Sequence, residues 1–225
     1  MMMHPRQPLY LAALALVLLL AMGLVGCTYN ATPVTAPAVN VYSSYDDPVS
    51  GQWVLVVDDS VNDANRNVKP SSYACSAHDY PLQAGDTLRA SISRSMESIF
   101  EEVEVRSTAP SNSALKEGGY AGVILVRLDH FQPRVTCNMG FFSANCTATT
   151  DISFGVNVRG PEGRLYGGTA GANRSAQGDA GGTCQEVATW LSESARLSIR
   201  EGLERLVEKL ANSERIRNHG EPQAD

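Results

Sequence analysis

After residue 26 the sequence has no second uncharged apolar run of membrane-spanning length, no long basic cluster, and only three histidines, His78, His130 and His219. Each shortage excludes something. A spanning helix needs about 17–25 apolar residues, so a polytopic membrane protein is not expected. Residues 27–225 carry 17 basic against 24 acidic side chains, an excess of seven negative charges. That balance argues against nucleic acid as a partner and against a polybasic patch on anionic headgroups. Also missing are G-x-S-x-G, H-E-x-x-H and G-x-x-x-x-G-K-[ST]. The Gly-rich stretch "YGGTAGANRSAQGDAGG", 166–182, has no such lysine and reads as strand that twists or approaches a neighbour closely. No enzyme, catalytic residue, cofactor or metal is expected. Asp58 and Asp59, with Asp63 nearby, read as a solvated strand end, and Glu97, Glu101, Glu102 and Glu104 as a wet helix face.

What the sequence does have comes first in the chain. Leu9 to Gly26 contains no charge, and the only ionised side chain upstream is Arg6. A basic start, an apolar stretch and a small-residue finish make a secretory signal, which by itself leaves plain secretion and an uncleaved amino-terminal anchor as alternatives. Leu24-Val25-Gly26-Cys27 resembles a bacterial lipobox. In such precursors the cysteine thiol is diacylated and the signal is cut before it, so the likeness implies that the mature chain begins at a lipidated Cys27. Thr28, where inner-membrane retention would favour Asp in enteric-type bacteria, implies the outer membrane, with the domain facing the periplasm. The sequons at Asn30, Asn145 and Asn173 carry no weight in a bacterial envelope.

The chain therefore divides into a signal peptide, 1–26; a lipid-anchored flexible tether, 27–37, rich in Pro, Ala and Thr; a periplasmic domain, 38–212; and a polar tail, 213–225. Fully extended, the tether would hold the domain off the bilayer by roughly 30 Å, at about 3.3 Å per residue. "AVNVYSSY", 38–45, reads as an edge strand. Gln52 to Ser60 is a β-branched buried strand, and residues 61–85 a long loop. Leu88, Ile92, Met96, Ile99 and Val103 recur at helical spacing, predicting a helix over 86–103 with Asp86 as its cap. A polar segment leads to a strand from Tyr120, in which Pro133 marks an edge or bulge. Between Cys146 and Val158 every second residue is apolar or small, which requires one buried and one wet face. Gly160–Gly163 is a turn, and Arg164 to about Ala172 the partner strand. Thr183 to Glu186 matches a capping box, and Val187, Leu191, Ala195, Ile199, Leu203, Leu206 and Leu210 form the stripe of a long final helix. The fold class is α+β: a two-layer sandwich of a mostly antiparallel sheet with two helices packed on one face.

Cys75, Cys137, Cys146 and Cys184 make an even set in an exported chain and read as two disulfides, with three connectivities open. The topology selects among them. A strand up, a helix down, a meander up-down-up and a helix down start both helices at one end of the sheet. Cys75 precedes the first helix, Cys184 opens the second, and the "CNMGFFSANC" hairpin lies at the same end. The expected bonds are Cys75–Cys184 and Cys137–Cys146. Cys75 and His78, with Cys184 and the hairpin pair, would also suit zinc, but an oxidising compartment favours cystine.

The lipobox, the tether, the amphipathic helix, "GVILVRLDHFQPRV", the long alternating strand and the terminal helix together resemble the YajG-type bacterial lipoproteins, most strongly from Tyr120 to Leu210. The four cysteines and "FFSANC" depart from that pattern. More distant likenesses of layout are the auxiliary lipoproteins of envelope ABC transporters and the lipoprotein partner in lipopolysaccharide assembly. The resemblance implies a non-catalytic binding or structural accessory of the envelope. The alternative is an auxiliary subunit of a lipid or polymer transport or assembly system. Expected partners are the membrane, through the lipid on Cys27, an envelope protein that the sequence does not specify, and further copies of the chain. Phe141 and Phe142, adjacent rings at a disulfide-bounded hairpin tip, are the expected contact with a partner, unless one folds back on the sheet. Replacing both by Ser should leave thermal unfolding unchanged and abolish in-cell crosslinking to a partner; unchanged crosslinking would remove them from that role.

Overall fold

The computed structural model describes residues 27–33, 42–140 and 143–220. The expected signal peptide, residues 34–41, Phe141, Phe142 and residues 221–225 lie outside them.

Among the described residues seven strands make two sheets: β1 (Val49–Val57), β4 (Phe100–Arg106), β5 (Gly122–Met139), β6 (Ala144–Gly160) and β7 (Gly163–Asp179) in the order β4-β1-β5-β6-β7, and a small pair, β2 (Asn65–Val68) and β3 (Tyr80–Gln83). β1 runs parallel to both β4 and β5, while β5, β6 and β7 form the antiparallel meander. Helices α1 (Gly85–Glu97) and α3 (Val187–Ala211) share one core against one sheet face; a short α2 (Asn112–Glu117) covers part of the other, and α4 (Glu214–Gly220) follows α3. The sheet is thus mixed, long and antiparallel on one side and parallel at the other.

The period of β6 decides where the core lies. Cys146, Ala148, Thr150, Ile152, Phe154, Val156 and Val158 are all buried, and Thr147, Thr149, Asp151, Ser153, Asn157 and Arg159 lie half-exposed on the opposite face. In β1, Trp53, Leu55 and Val57 join that core, while Val54 and Val56 meet Leu115 of α2 and Val123 on the other side. Over β6, α3 presents not its leucines alone but three small residues one turn apart, Ser194, Ser198 and Gly202. The Ser194 and Thr150 hydroxyls are 2.9 Å apart. The Ser198 hydroxyl donates to the Thr150 carbonyl at 2.7 Å and accepts the Arg174 N–H of β7 at 3.0 Å. A Cβ on Gly202 would stand 2.8 Å from the Phe154 ring. At Gly178 of β7 a Cβ would run into the Trp190 indole, whose Nε1 donates to the Asp179 carbonyl.

Several sequence expectations are corrected. The first helix ends at Glu97, not Val103: Phe100–Arg106 pairs with β1, and the Val49 N–H donates to the Ile99 carbonyl. Val103 and Val105 favour strand, and an available sheet edge overrides a helical period. Glu101, Glu102 and Glu104 therefore lie on β4 and not on a helix face. Asp86 does not cap α1; Asn65 accepts the Gly85 N–H instead. Nor is Thr183–Glu186 a capping box, because Cys184 sits at φ +61° and α3 starts at Val187. Residues 61–85 hold a 3-10 turn (Asp59–Ala64) and the β2–β3 hairpin. Residues 42–45 form no strand. β7 continues to Asp179, and the tail is helical over Glu214–Gly220 with Ile216 fully buried.

Gly202→Val is expected to lower stability by about 1–3 kcal/mol through overpacking against Phe154, measured as a shift in denaturant midpoint at unchanged m-value.

Candidate functional site

The end of the sheet where β1 finishes gathers the features that composition and spacing single out. Cys75 is bonded to Cys184, 109 residues away, with Cα atoms 5.7 Å apart. Cys137 and Cys146, directly opposed in the β5–β6 register, form the second disulfide at a Cα separation of 4.0 Å. The sulfurs of Cys75, Cys137 and Cys146 lie within 4.8 Å of one another, so the two cystines are in contact. Cys75 and Cys184 both adopt left-handed backbone, φ 60° and 61°, which non-glycine residues occupy only when the surroundings hold them there. Bonded as cystines, the sulfurs offer no thiolates to a metal. His78 lies beside them, its Nδ1 buried without a hydrogen-bond partner.

The loop carrying Cys75 is pinned to β5. The Ser71 N–H donates to the Val135 carbonyl at 2.9 Å, and the Cys137 N–H donates to the Ser72 hydroxyl at 2.7 Å. At its other end Asp79 accepts from Asn67 and pairs with Lys69, which hold its carboxyl below the ordinary carboxylate range.

Residues 27–33 are laid along this loop and β3. The Asp79 N–H donates to the Cys27 carbonyl, the Tyr29 N–H to the Asp79 carbonyl, the Ala31 N–H to the Pro81 carbonyl, and the Gln83 N–H to the Ala31 carbonyl. The Thr87 hydroxyl then reaches the Pro33 carbonyl. Ala31 is fully buried, and the Tyr29 ring lies over Tyr80 and His78 with centroids 6.0 and 5.4 Å away. This corrects the expected free tether: in the structure its first seven residues are an edge-strand-like strap. A Pro, Ala and Thr composition masks the strap in the sequence, where its signal is alternation, Tyr29, Ala31 and Pro33 inward with Thr28, Asn30 and Thr32 outward. Cys27 itself is exposed. Beneath the strap Tyr80 is buried and donates from its hydroxyl to the Cys184 carbonyl at 2.8 Å.

Tyr73, 91% exposed, stands two residues before Cys75, and Met139, 74% exposed, two residues after Cys137. The expected contact pair Phe141 and Phe142, between Met139 and Ser143, lies outside the described residues. The acidic groups weighed in the sequence serve local structure. Asp58 accepts the Ser60 N–H at the head of the 3-10 turn, which lowers its carboxyl below the ordinary range. Asp59 pairs with Arg89 at 3.5 Å. Glu104 binds Arg106 and the Tyr120 hydroxyl. His130 is exposed beside a bulge of β5, and His219 is on α4. On the sheet face turned from α1 and α3, Thr149 and Ser175 pair at 2.8 Å. Beside them an open trough of about 580 Å³ is lined by the hydroxyls and cations of Lys69, Arg134, Thr136 and Thr147 together with the apolar Val68, Pro133 and Val135.

No family model matches the sequence, and no curated protein is similar to it. The solved structures that share features of its backbone include three proteins of low sequence identity. One is a Xanthomonas campestris protein of the family DUF330, at 12% identity and TM-score 0.43, covering 84% of this chain and 95% of that one. Another is a minor lipoprotein from Acinetobacter baumannii, at 12% identity and TM-score 0.39, covering 73% and 92%. The third is a neuraminyllactose-binding hemagglutinin homologue from Helicobacter pylori, at 8% identity and TM-score 0.45, covering 83% and 97%. At TM-scores below 0.5 these likenesses carry no functional inference, and membership of the YajG type stays a resemblance.

Burial pushes the Tyr80 hydroxyl up to about 12, with Tyr29 adding to it. Raised above an unfolded value of about 10, it contributes stability fully present below pH ~10 and lost as pH climbs through the folded value. Tyr80→Phe is expected to flatten that alkaline loss in denaturant titrations and to cost about 0.5–1.5 kcal/mol at neutral pH for the missing hydrogen bond.

Proposed function

We propose that the chain is an envelope lipoprotein, acylated on Cys27, and that its α+β domain acts in the periplasm as a binding or structural module without catalysis. The observation carrying this reading is the coincidence at Cys27. An uncharged apolar run and a lipobox-like tetrad end there, and the same cysteine is the exposed, unpaired one ahead of a segment fastened to the domain. The other four cysteines are paired. That pairing supports an extracytoplasmic compartment, because disulfides persist outside the cytosol. Attachment follows from the acyl chains: each buried methylene contributes about 0.8 kcal/mol, one chain holds marginally, and two or three hold stably. Thr28, after the acylated residue, favours the outer membrane as the location. The non-catalytic reading is supported by the use of polar groups at the cystine end, where Asp79, Ser71, Ser72 and Tyr80 each hold one chain segment against another.

The full-length chain, expressed in a Gram-negative host, should incorporate labelled palmitate, partition into detergent and give an amino-terminal peptide starting at acylated Cys27. Cys27→Ser should abolish all three. An unlabelled wild-type protein that retains residues 1–26 would overturn the reading in favour of an uncleaved anchor.

A further inference from the structure

We infer that the cystine end of the domain lies directly on the leaflet that holds the anchor, with Tyr73 and Met139 set into its headgroup boundary. The inference rests on acylation of Cys27 and adds an orientation and a contact surface to it. The first step is the strap. Four backbone hydrogen bonds between residues 27–31 and residues 79–83, together with burial of Ala31, fix Cys27 to the domain. Acyl chains on that sulfur leave from the domain surface itself. A free spacer would allow roughly 30 Å of standoff, whereas a strapped one leaves only the thioether and glyceryl linkage between protein and lipid.

The second step is what surrounds the exit point. Among the exposed large hydrophobic side chains, Tyr73 and Met139 flank the two touching cystines, close to the loop end to which Cys27 is bonded. Two others stand at the far end, where β1 begins and α3 ends: Tyr45 lies under the Arg217 guanidinium, and the Tyr42 carbonyl accepts from Asn212. Tyr at a membrane boundary keeps its ring in the apolar layer and its hydroxyl wet. The two disulfides and the pinned loop keep this end from rearranging, so the pair is presented on a rigid platform. The third step is charge. Of the two cations that line the neighbouring trough, Lys69 and Arg134, Lys69 is engaged by Asp79, which leaves one where anionic headgroups attract a polybasic cluster. The contact is therefore interfacial rather than electrostatic and indifferent to the fraction of anionic lipid. The trough and the polar sheet face are left free for other partners.

The test uses the acylated full-length protein, purified from membranes and reconstituted into phosphatidylcholine vesicles with and without brominated acyl chains. Tyr73→Trp and Met139→Trp are read as the emission added to that of the native Trp53 and Trp190, with Tyr42→Trp as the far-end control. All three positions are exposed, so the fold tolerates them. The expected result is blue-shifted added emission at 73 and 139 that brominated lipid quenches, no quenching at 42, and no change when phosphatidylserine replaces part of the phosphatidylcholine. Unquenched emission at 73 and 139 in protein whose mass shows acylated Cys27 would overturn the orientation while leaving the lipoprotein reading intact. A mass without acyl chains would instead overturn that reading.

Discussion

One helix, α3, has to lie close enough to the sheet for its serines to reach strand backbone, and most of the domain depends on that approach. Ser194, Ser198 and Gly202, each one turn from the next, form the side that faces Thr150, Ile152 and Phe154. The Ser198 hydroxyl satisfies a carbonyl of β6 and an N–H of β7 at once, so the helix and two strands share a buried polar joint. An unpaired buried polar group costs about 1–3 kcal/mol, which makes this joint specific to one placement of the helix. Leucines at the same three positions would lift α3 away and leave the joint unfilled.

The same helix protects the sheet. β7 is a seventeen-residue edge strand rich in glycine and alanine, a template for pairing with other chains. Arg205 and Lys209 donate to the Gly171 and Thr169 carbonyls, and Trp190 to that of Asp179. These side chains occupy acceptors that a foreign strand would use, and their charges oppose close approach. Arg174 and Arg205 both pair with Glu201, which ties the guard to the strand and to its own helix.

At the other extreme of the molecule the cystines add to packing, with Cys75, Cys137 and Cys146 part of the core. The meander extends past β1, and among the described residues its far end is covered by the small β2–β3 hairpin, the Cys75 loop, the strap and the first turns of α3, where Trp190 lies against Gly178. Closing a loop of about a hundred residues contributes on the order of 4–5 kcal/mol in the chain-entropy account, and the Cys75–Cys184 bond closes one of 109. The left-handed conformation of both its residues is held by a loop pinned to β5 on one side and by the start of α3 on the other. The buried Tyr80 hydroxyl, bound to the Cys184 carbonyl, links the strap to that bond.

Local pattern determined a good part of this. The alternation of β6 named its buried face residue by residue, and the stripe from Val187 to Leu210 named α3, because each period acts over neighbours in the chain and needs no partner to be read. The cysteine pairs followed once the order of elements was known. What lay beyond the sequence were contacts whose partner is distant. β4 was hidden in a helical period because only the open edge of β1 makes Phe100–Arg106 a strand. The strap was hidden in a Pro-Ala-Thr composition because its hydrogen bonds are made by β3, some fifty residues on. Ile216, a lone apolar residue in a polar stretch, gave no period at all, and its burial depends on the end of α3 and the start of β1. Composition and motif place a lipid on Cys27 as an expectation; the tertiary structure alone fixes that residue to one end of the domain, because backbone groups on either side of the gap pair only when folding brings them together.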